Sequence, residues 1–263
     1  MRFSMITLSG LMLAAATPAM AQDETEPADA ITVSGSITGV SDYRFRGISQ
    51  TDEDAAVQAG VTVAHESGLY ASVWASTIKG DEAPVVAGYG DAEVDLSVGF
   101  AKTFDNGVGV DVGLLYYLYP VDKVSGLDTD FFEPYASLSY TIGPVSAKVG
   151  ANYAWSGQDG LVGNDSLYLR GDASVAIPGT PISLLGHLGH TDGQLAFVAP
   201  KEKYWDWTLG AEVSHSFVKL GVQYVDTDLP SGTYAPPGFP ALPKYAKLIG
   251  GDAGYLAYIT LSF

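Results

Sequence analysis

The chain of 263 residues has no cysteine and only 13 lysines and arginines. The first absence excludes disulfides, thiolate metal sites and a cysteine nucleophile. The second, set against 30 aspartates and glutamates and a formal net charge of −17, makes nucleic acid an unfavourable partner, because its phosphates would be repelled. Long apolar runs are missing as well. No stretch reaches the roughly 20 apolar residues of a transmembrane helix, although 47% of the residues are hydrophobic and 11% aromatic. In lipid only helices and closed barrels satisfy their own backbone hydrogen bonds, so apolar composition without a helical span points to a barrel.

What is present begins with MRFSMITLSGLMLAAATPAMAQ. Arg2 gives a basic start, Ile6 to Ala16 an apolar run, and Ala19 and Ala21 flank Met20 as small residues. This is the layout of a secretory signal peptide, residues 1–21, with cleavage expected after Ala21 and export through the inner membrane. Residues 22–30 are acidic, carry Pro27 and read as a flexible leader. Residues 31–263 read as one domain.

Across that domain apolar and polar residues alternate with period two, the signature of strands with one face in each environment. Val94, Leu96, Val98 and Phe100 oppose Glu93, Asp95, Ser97 and Gly99; Trp205, Trp207, Leu209, Ala211 and Val213 oppose Asp206, Thr208, Gly210 and Glu212. About twelve strands are predicted, near 31–45, 55–65, 69–79, 91–104, 108–119, 131–142, 145–156, 165–177, 182–191, 204–214, 218–227 and 253–263. Short turns such as Glu66-Ser67-Gly68 and Asp105-Asn106-Gly107 alternate with long loops, the longest from Leu229 to Asp252. A hairpin must also keep the apolar residues of both strands on one face. The three-residue turns pair Val61 with Val73, Phe100 with Val112 and Val98 with Leu114. The two-residue turn Gly143-Pro144 pairs Ile142 with Val145 and Leu138 with Val149. The connection after Ile177 pairs Val175 with Leu184, and an even-length turn at Ser214 to Phe217 pairs Val213 with Val218.

The fold expected is all-β, a transmembrane antiparallel up-and-down β-barrel of the bacterial outer membrane, in contact with outer-membrane lipid and lipopolysaccharide. A soluble sandwich or lipocalin-like barrel would alternate too. The aromatic strand ends Trp205, Trp207, Tyr153, Trp155, Tyr116 and Tyr255 favour an interfacial girdle over both.

The segments SGSITGVSDYRFRGISQT (34–51), AAVQAGVTVAHESGLYASVW and GDAEVDLSVGF resemble the TorF-type porin family of proteobacteria, most strongly from about Ile31 to Phe104. The resemblance implies an outer-membrane porin and bears more on location and fold than on substrate. The terminal Phe263, which completes the alternation of Tyr255, Ala257, Ile259 and Leu261, looks like the aromatic residue by which barrel-assembly machinery recognises its clients.

Continuing the first strand in register would turn Asp42, Arg44 and Arg46 inward beside Thr32, Ser34, Ser36 and Thr38, and Tyr43 and Phe45 toward lipid. Glu93, Asp95, Asp111, Lys148, Arg170, Asp172, Glu212 and Lys219 join them as expected lumen charges. Opposed acids and bases would create a transverse field that sorts small hydrophilic solutes by size and charge. The same charges can instead brace a nearly closed interior, with Arg44 and Arg46 pairing to Asp42, Glu93 or Asp95. Three functions therefore stand: a mildly cation-favouring porin, a plugged structural or surface-interaction barrel, and a lipid hydrolase. The last would need one of His65, His187, His190 or His215 to converge with a serine, and no nucleophile motif accompanies them. His187 and His190, three apart on a strand, point to opposite faces and make no ligand pair. No metal site and no cofactor are expected. The loop Tyr234 to Gly251 reads as a mouth gate or an extended surface loop. Asp52, Glu53, Asp54, Asp81 and Glu82 read as solvated charge or as cation bridges to lipopolysaccharide.

Overall fold

The computed structural model describes residues 30–80, 82–120, 129–158, 160–161, 163–236 and 240–263. The expected signal peptide with Ala19 and Ala21, the expected leader as far as Asp29, and Asp81 lie outside these residues. Twelve long strands form one closed antiparallel barrel. They are β1 (Ile31–Val40), β4 (Ala56–His65), β5 (Leu69–Thr77), β6 (Ala92–Thr103), β7 (Val108–Leu118) and β8 (Phe131–Ile142). Then follow β9 (Val145–Ala154), β10 (Ser166–Ala176), β11 (Ile182–Gly193), β12 (Lys203–His215), β13 (Val218–Thr227) and β14 (Gly254–Ser262). Two short strands, β2 (Arg44–Phe45) and β3 (Ile48–Ser49), form a separate hairpin between β1 and β4.

Each long strand pairs with its sequence neighbour, and β14 closes on β1 with Ile37 opposite Leu261. Gly35 and Phe263 exchange backbone hydrogen bonds of 2.8 and 2.9 Å at the end of that seam. The registers Val61 to Val73, Phe100 to Val112, Val98 to Leu114, Leu138 to Val149 and Val175 to Leu184 all occur. Gly68 and Gly107 close the three-residue turns at φ of 99° and 85°, the left-handed position that such a turn requires. One hairpin differs. Ser216 and Phe217 alone make the turn after β12, so His215 faces Val218 and Val213 faces Leu220 rather than Val218. Ser214 stays in the ladder opposite Lys219, with its backbone N–H donating to the Pro181 carbonyl at 3.0 Å.

Alternation sorts the side chains. Val33 at 61% and Leu209 at 64% exposure stand on the outside with most of the valine and leucine. Most of the strand serines and threonines, and charges such as Glu93, Asp95, Glu133, Arg170, Asp172, Asp206 and Glu212, are buried on the inside. Aromatic residues mark both ends of the apolar outer wall. At the loop end Tyr116, Phe132 and Trp155 stack in a row, and Tyr224 meets Tyr255. At the turn end stand Phe104, Tyr140, Phe217 and Phe263, all exposed. Inside, tyrosine rings lie across glycines of the adjacent strand. A Cβ on Gly221 would come 2.1 Å from the Tyr258 ring, and one on Gly113 2.6 Å from the Tyr135 ring. Glycine in these strands thus makes room for a ring against the wall.

Leu209 lies at the middle of β12 on the apolar face. For a wall immersed in lipid, Leu209→Arg is expected to lower stability by about 2–4 kcal/mol, measured by denaturant unfolding in liposomes. No loss relative to Leu209→Ala would contradict a lipid-facing wall.

Candidate functional site

The wall strand β1 stops at Val40, five residues short of the expected end at 45. Ser41 remains tied to β14 through Ala257, and the chain then turns into the barrel mouth. Arg46 and Gly47 form the two-residue turn of the β2–β3 hairpin with φ of 49° and 82°. Two left-handed residues in succession give the turn whose twist suits a tight hairpin. Gly47 has no room for a side chain, since a Cβ would stand 2.6 Å from Thr227 and 2.9 Å from Asp206.

The in-register extension of β1 is therefore corrected. Tyr43 and Phe45 do not face lipid: both are inside, where Tyr43 meets Trp74 edge-on and Phe45 meets Tyr117 edge-on. Asp42 ties the hairpin base, accepting hydrogen bonds from Arg44 Nε and Ser49 Oγ at 2.6 Å and from Thr51 Oγ1 at 3.3 Å. Arg44 also donates to the carbonyls of Gly47 and Asp252. Asp42 and Arg44 thus hold the hairpin together.

Arg46 crosses the mouth. Its guanidinium donates to Glu133 Oε1 on β8 at 2.6 Å and lies between the rings of Phe45 and Tyr168. Glu133 also receives the hydroxyl of Tyr117 and the amide of Asn152. Burial opposes the charge on Arg46, but the Glu133 carboxylate together with the Tyr117 and Tyr168 hydroxyls outweighs it and its pKa is raised. Burial, and then the carboxylates of Glu93 and Asp95, push the Tyr43 phenol well above its ordinary range, so it stays a donor.

Below Tyr168 the polar chain continues along the wall. Tyr168 donates to Asp206 at 3.2 Å. His187 sits between two carboxylates, with Nε2 3.0 Å from Asp206 and Nδ1 2.5 Å from Asp172. Asp172 also receives Arg170 at 2.7 Å. Beside this group Lys148, opposite Asp172 on the adjacent strand, pairs with Asp111 at 3.8 Å, and Lys219 pairs with Glu212 at 3.5 Å. The structure thus joins Arg170 and Asp172 in one network with Lys148 and Asp111 alongside it, and pairs Arg46 with Glu133 and Lys219 with Glu212. Among the described residues Glu93 and Asp95 form no ion pair with a base.

Glu133, Tyr168, Asp206 and His187 complete the network, and none of the four was among the expected lumen charges. Their signal was available. Each shares strand parity with an inward residue: Glu133 with Ser137, and Asp206 with Thr208 and Glu212.

Of the long loop after β13, the part around residues 245–251 packs over the hairpin, while residues 231–233 and 243–244 are exposed. Its short helix α1 (Tyr245–Leu248) buries Tyr245 and Ala246 in a cluster with Ile48, Val198 and Leu229. Tyr245 donates to the carbonyl of Val198 at 2.6 Å, and Ser49 N donates to Gly250 O at 2.9 Å. At the rim Lys79 binds both Asp54 and Glu82. Among the described residues no three acids or histidines are grouped to hold a metal. His65 and Ser67 do meet at 2.9 Å, but on an exposed turn that their contact closes.

A family model described as a bacterial protein of unknown function (Gcw_chp) matches residues 24–247. The chain belongs to this family. A comparison with curated proteins finds no match. Among solved structures, this Gcw_chp chain is similar to the NanC porin at 13% identity and a TM-score of 0.53, covering 88% of this chain and 99% of that one. An anion-selective porin from Comamonas acidovorans aligns at 13% identity and a TM-score of 0.40, over 89% of this chain and 99% of that one. OccAB4 of Acinetobacter baumannii aligns at 6% identity and a TM-score of 0.44, over 80% and 53%. The first of these supports the fold, a closed barrel of porin type.

Arg46→Ala leaves Glu133 buried without its cation, and losing one partner of such a pair costs about 3–5 kcal/mol. The expected result is a released hairpin, seen as faster protease cleavage within residues 42–54. Adding Glu133→Gln should restore much of the protection, and unchanged cleavage in Arg46→Ala would show that the pair does not seat the hairpin.

Proposed function

We propose that this Gcw_chp protein is an outer-membrane porin of the TorF type. It passes small hydrophilic solutes and inorganic ions, with some preference for cations, through a mouth narrowed by the β2–β3 hairpin. The observation that carries this reading is the opposition of the two faces of one closed wall, apolar between aromatic bands outside and lined by charge pairs inside. Strands of 9 to 13 residues suit a bilayer, which needs about 9–11 tilted residues. An apolar exterior of this extent would aggregate in water and is stabilised by lipid. The excess of acids over bases favours cations at the mouth.

In this reading the signal peptide directs export, lipopolysaccharide meets the loop end, and Phe263, at 67% exposure on the outer face, serves the barrel-assembly machinery. Asp111, Lys148, Glu212 and Lys219 line the inner passage, while Asp42, Arg44 and Arg46 set the constriction. The plugged barrel is the second reading. It is favoured by the burial of Arg44, Arg46 and Glu133 at the mouth.

Conductance in planar bilayers under a salt gradient tests both. The wild-type chain is expected to give small cation-favouring events, and replacing residues 42–51 by a short Gly-Ser linker should raise conductance several-fold. Events in the linker variant alone would establish the plugged barrel. Silence in both would exclude a pore, and an anion-favouring reversal potential would exclude the selectivity.

A further inference from the structure

The buried charges of the mouth leave a remainder. Asp42 has Arg44, Glu133 has Arg46, Asp172 has Arg170, and His187 serves both Asp172 and Asp206. Glu93 and Asp95 have no basic partner among the described residues, yet they are 2% and 0% exposed. They occupy successive inward positions of β6, beneath the root of the hairpin. Glu93 receives one weak hydrogen bond, from the Tyr43 hydroxyl at 3.3 Å. Neither oxygen of Asp95 has any hydrogen-bond partner, and the hydroxyl of Ser97, the next inward residue, is equally unpartnered. Trp74 and Tyr117 stand opposite Asp95 on the two adjacent strands. Two carboxylates taken out of water without a counter-charge are strongly unfavourable, and buried polar atoms that lack a protein partner point to an absent ion or water.

We propose that Asp95 and Glu93 form a binding site for one hard divalent cation, of the calcium or magnesium class. Asp95 is the anchor, since both of its oxygens are free to coordinate. Glu93 supplies the second charge, and one divalent ion then cancels the two. The donors are all oxygen, which suits hard cations over zinc or copper. The Tyr43 phenol, already on Glu93, and water are the neutral ligands at hand. The occupied site would fasten the hairpin root to β6 through Tyr43, and its existence does not require that the barrel conducts.

The test uses the full barrel in detergent micelles, stripped with a chelator and desalted, then titrated with calcium chloride and with magnesium chloride. Metal analysis reads stoichiometry, and intrinsic fluorescence, compared with that of a Trp74→Phe variant to isolate its share from the other three tryptophans, reads the surroundings of Trp74. One saturable ion per chain is expected, with a higher unfolding midpoint as the ion is added. Asp95→Asn should weaken affinity by about tenfold or more, since the charge count sets affinity for such ions. Because it removes a repelling charge, this variant should fold at least as well as the wild type without metal. The double change Asp54→Asn and Glu82→Gln, at the exposed rim, should leave binding unchanged. The proposal is overturned by no saturable binding at millimolar metal, by binding that survives Asp95→Asn, or by loss on changing the rim acids. A stabilisation seen only on acidification would assign the site to protons instead.

Discussion

Closure of the sheet governs the rest of this structure. An open sheet leaves a row of unpaired backbone donors and acceptors at each edge, and in lipid no water satisfies them. Here β14 returns to β1, and the paired backbone groups of Gly35 and Phe263 end the seam. Once the sheet is closed, inside and outside become different solvents. A period-two sequence then has one stable register at each hairpin, because a slip of one residue would put a row of charges outward.

Closure also creates the electrostatic problem that the interior has to solve. Twelve strands enclose more volume than an eight-stranded wall fills with its own side chains, and here the first loop enters the mouth. The hairpin brings Asp42, Arg44 and Arg46 into surroundings from which water is largely removed. Such charges persist when each has a close partner. Arg46 finds Glu133 across the mouth, and Arg44 finds Asp42 two residues away. Buried pairs of this kind add little net stability but penalise wrong seating heavily. They therefore specify where the hairpin rests, and the loop bearing α1 locks it from above through Ser49 and Gly250.

The strand pattern was legible to within two residues at nearly every end. The exception was β1. In Asp42-Tyr43-Arg44-Phe45-Arg46 the alternation simply continues, so local pattern alone extends the strand to 45. Gly47 was the contrary sign, since a glycine beside a residue able to turn left-handed marks a hairpin. At β12–β13 parity was right but the pairing lay two residues off, because Ser214 and His215 are compatible with ladder and turn alike. Inward orientation of Glu133 and Asp206 followed from parity, and His187 and Asp206 meet across the neighbouring strands β11 and β12, whereas the contact of Arg46 with Glu133 joins segments far apart in the chain and left no local trace.

The sequence by itself determined the wall: the number of strands, the face each residue takes, most turns, and which end carries short connections. These follow from local rules, a two-residue repeat and the turn chemistry of glycine. Only the tertiary structure decided what fills the mouth, which charges become partners, and that Glu93 and Asp95 are buried with no basic partner among the described residues. The physical reason is that a side chain's direction is a property of its own strand, while its electrostatic partner is set by how the closed sheet and its inturned loop bring distant strands together.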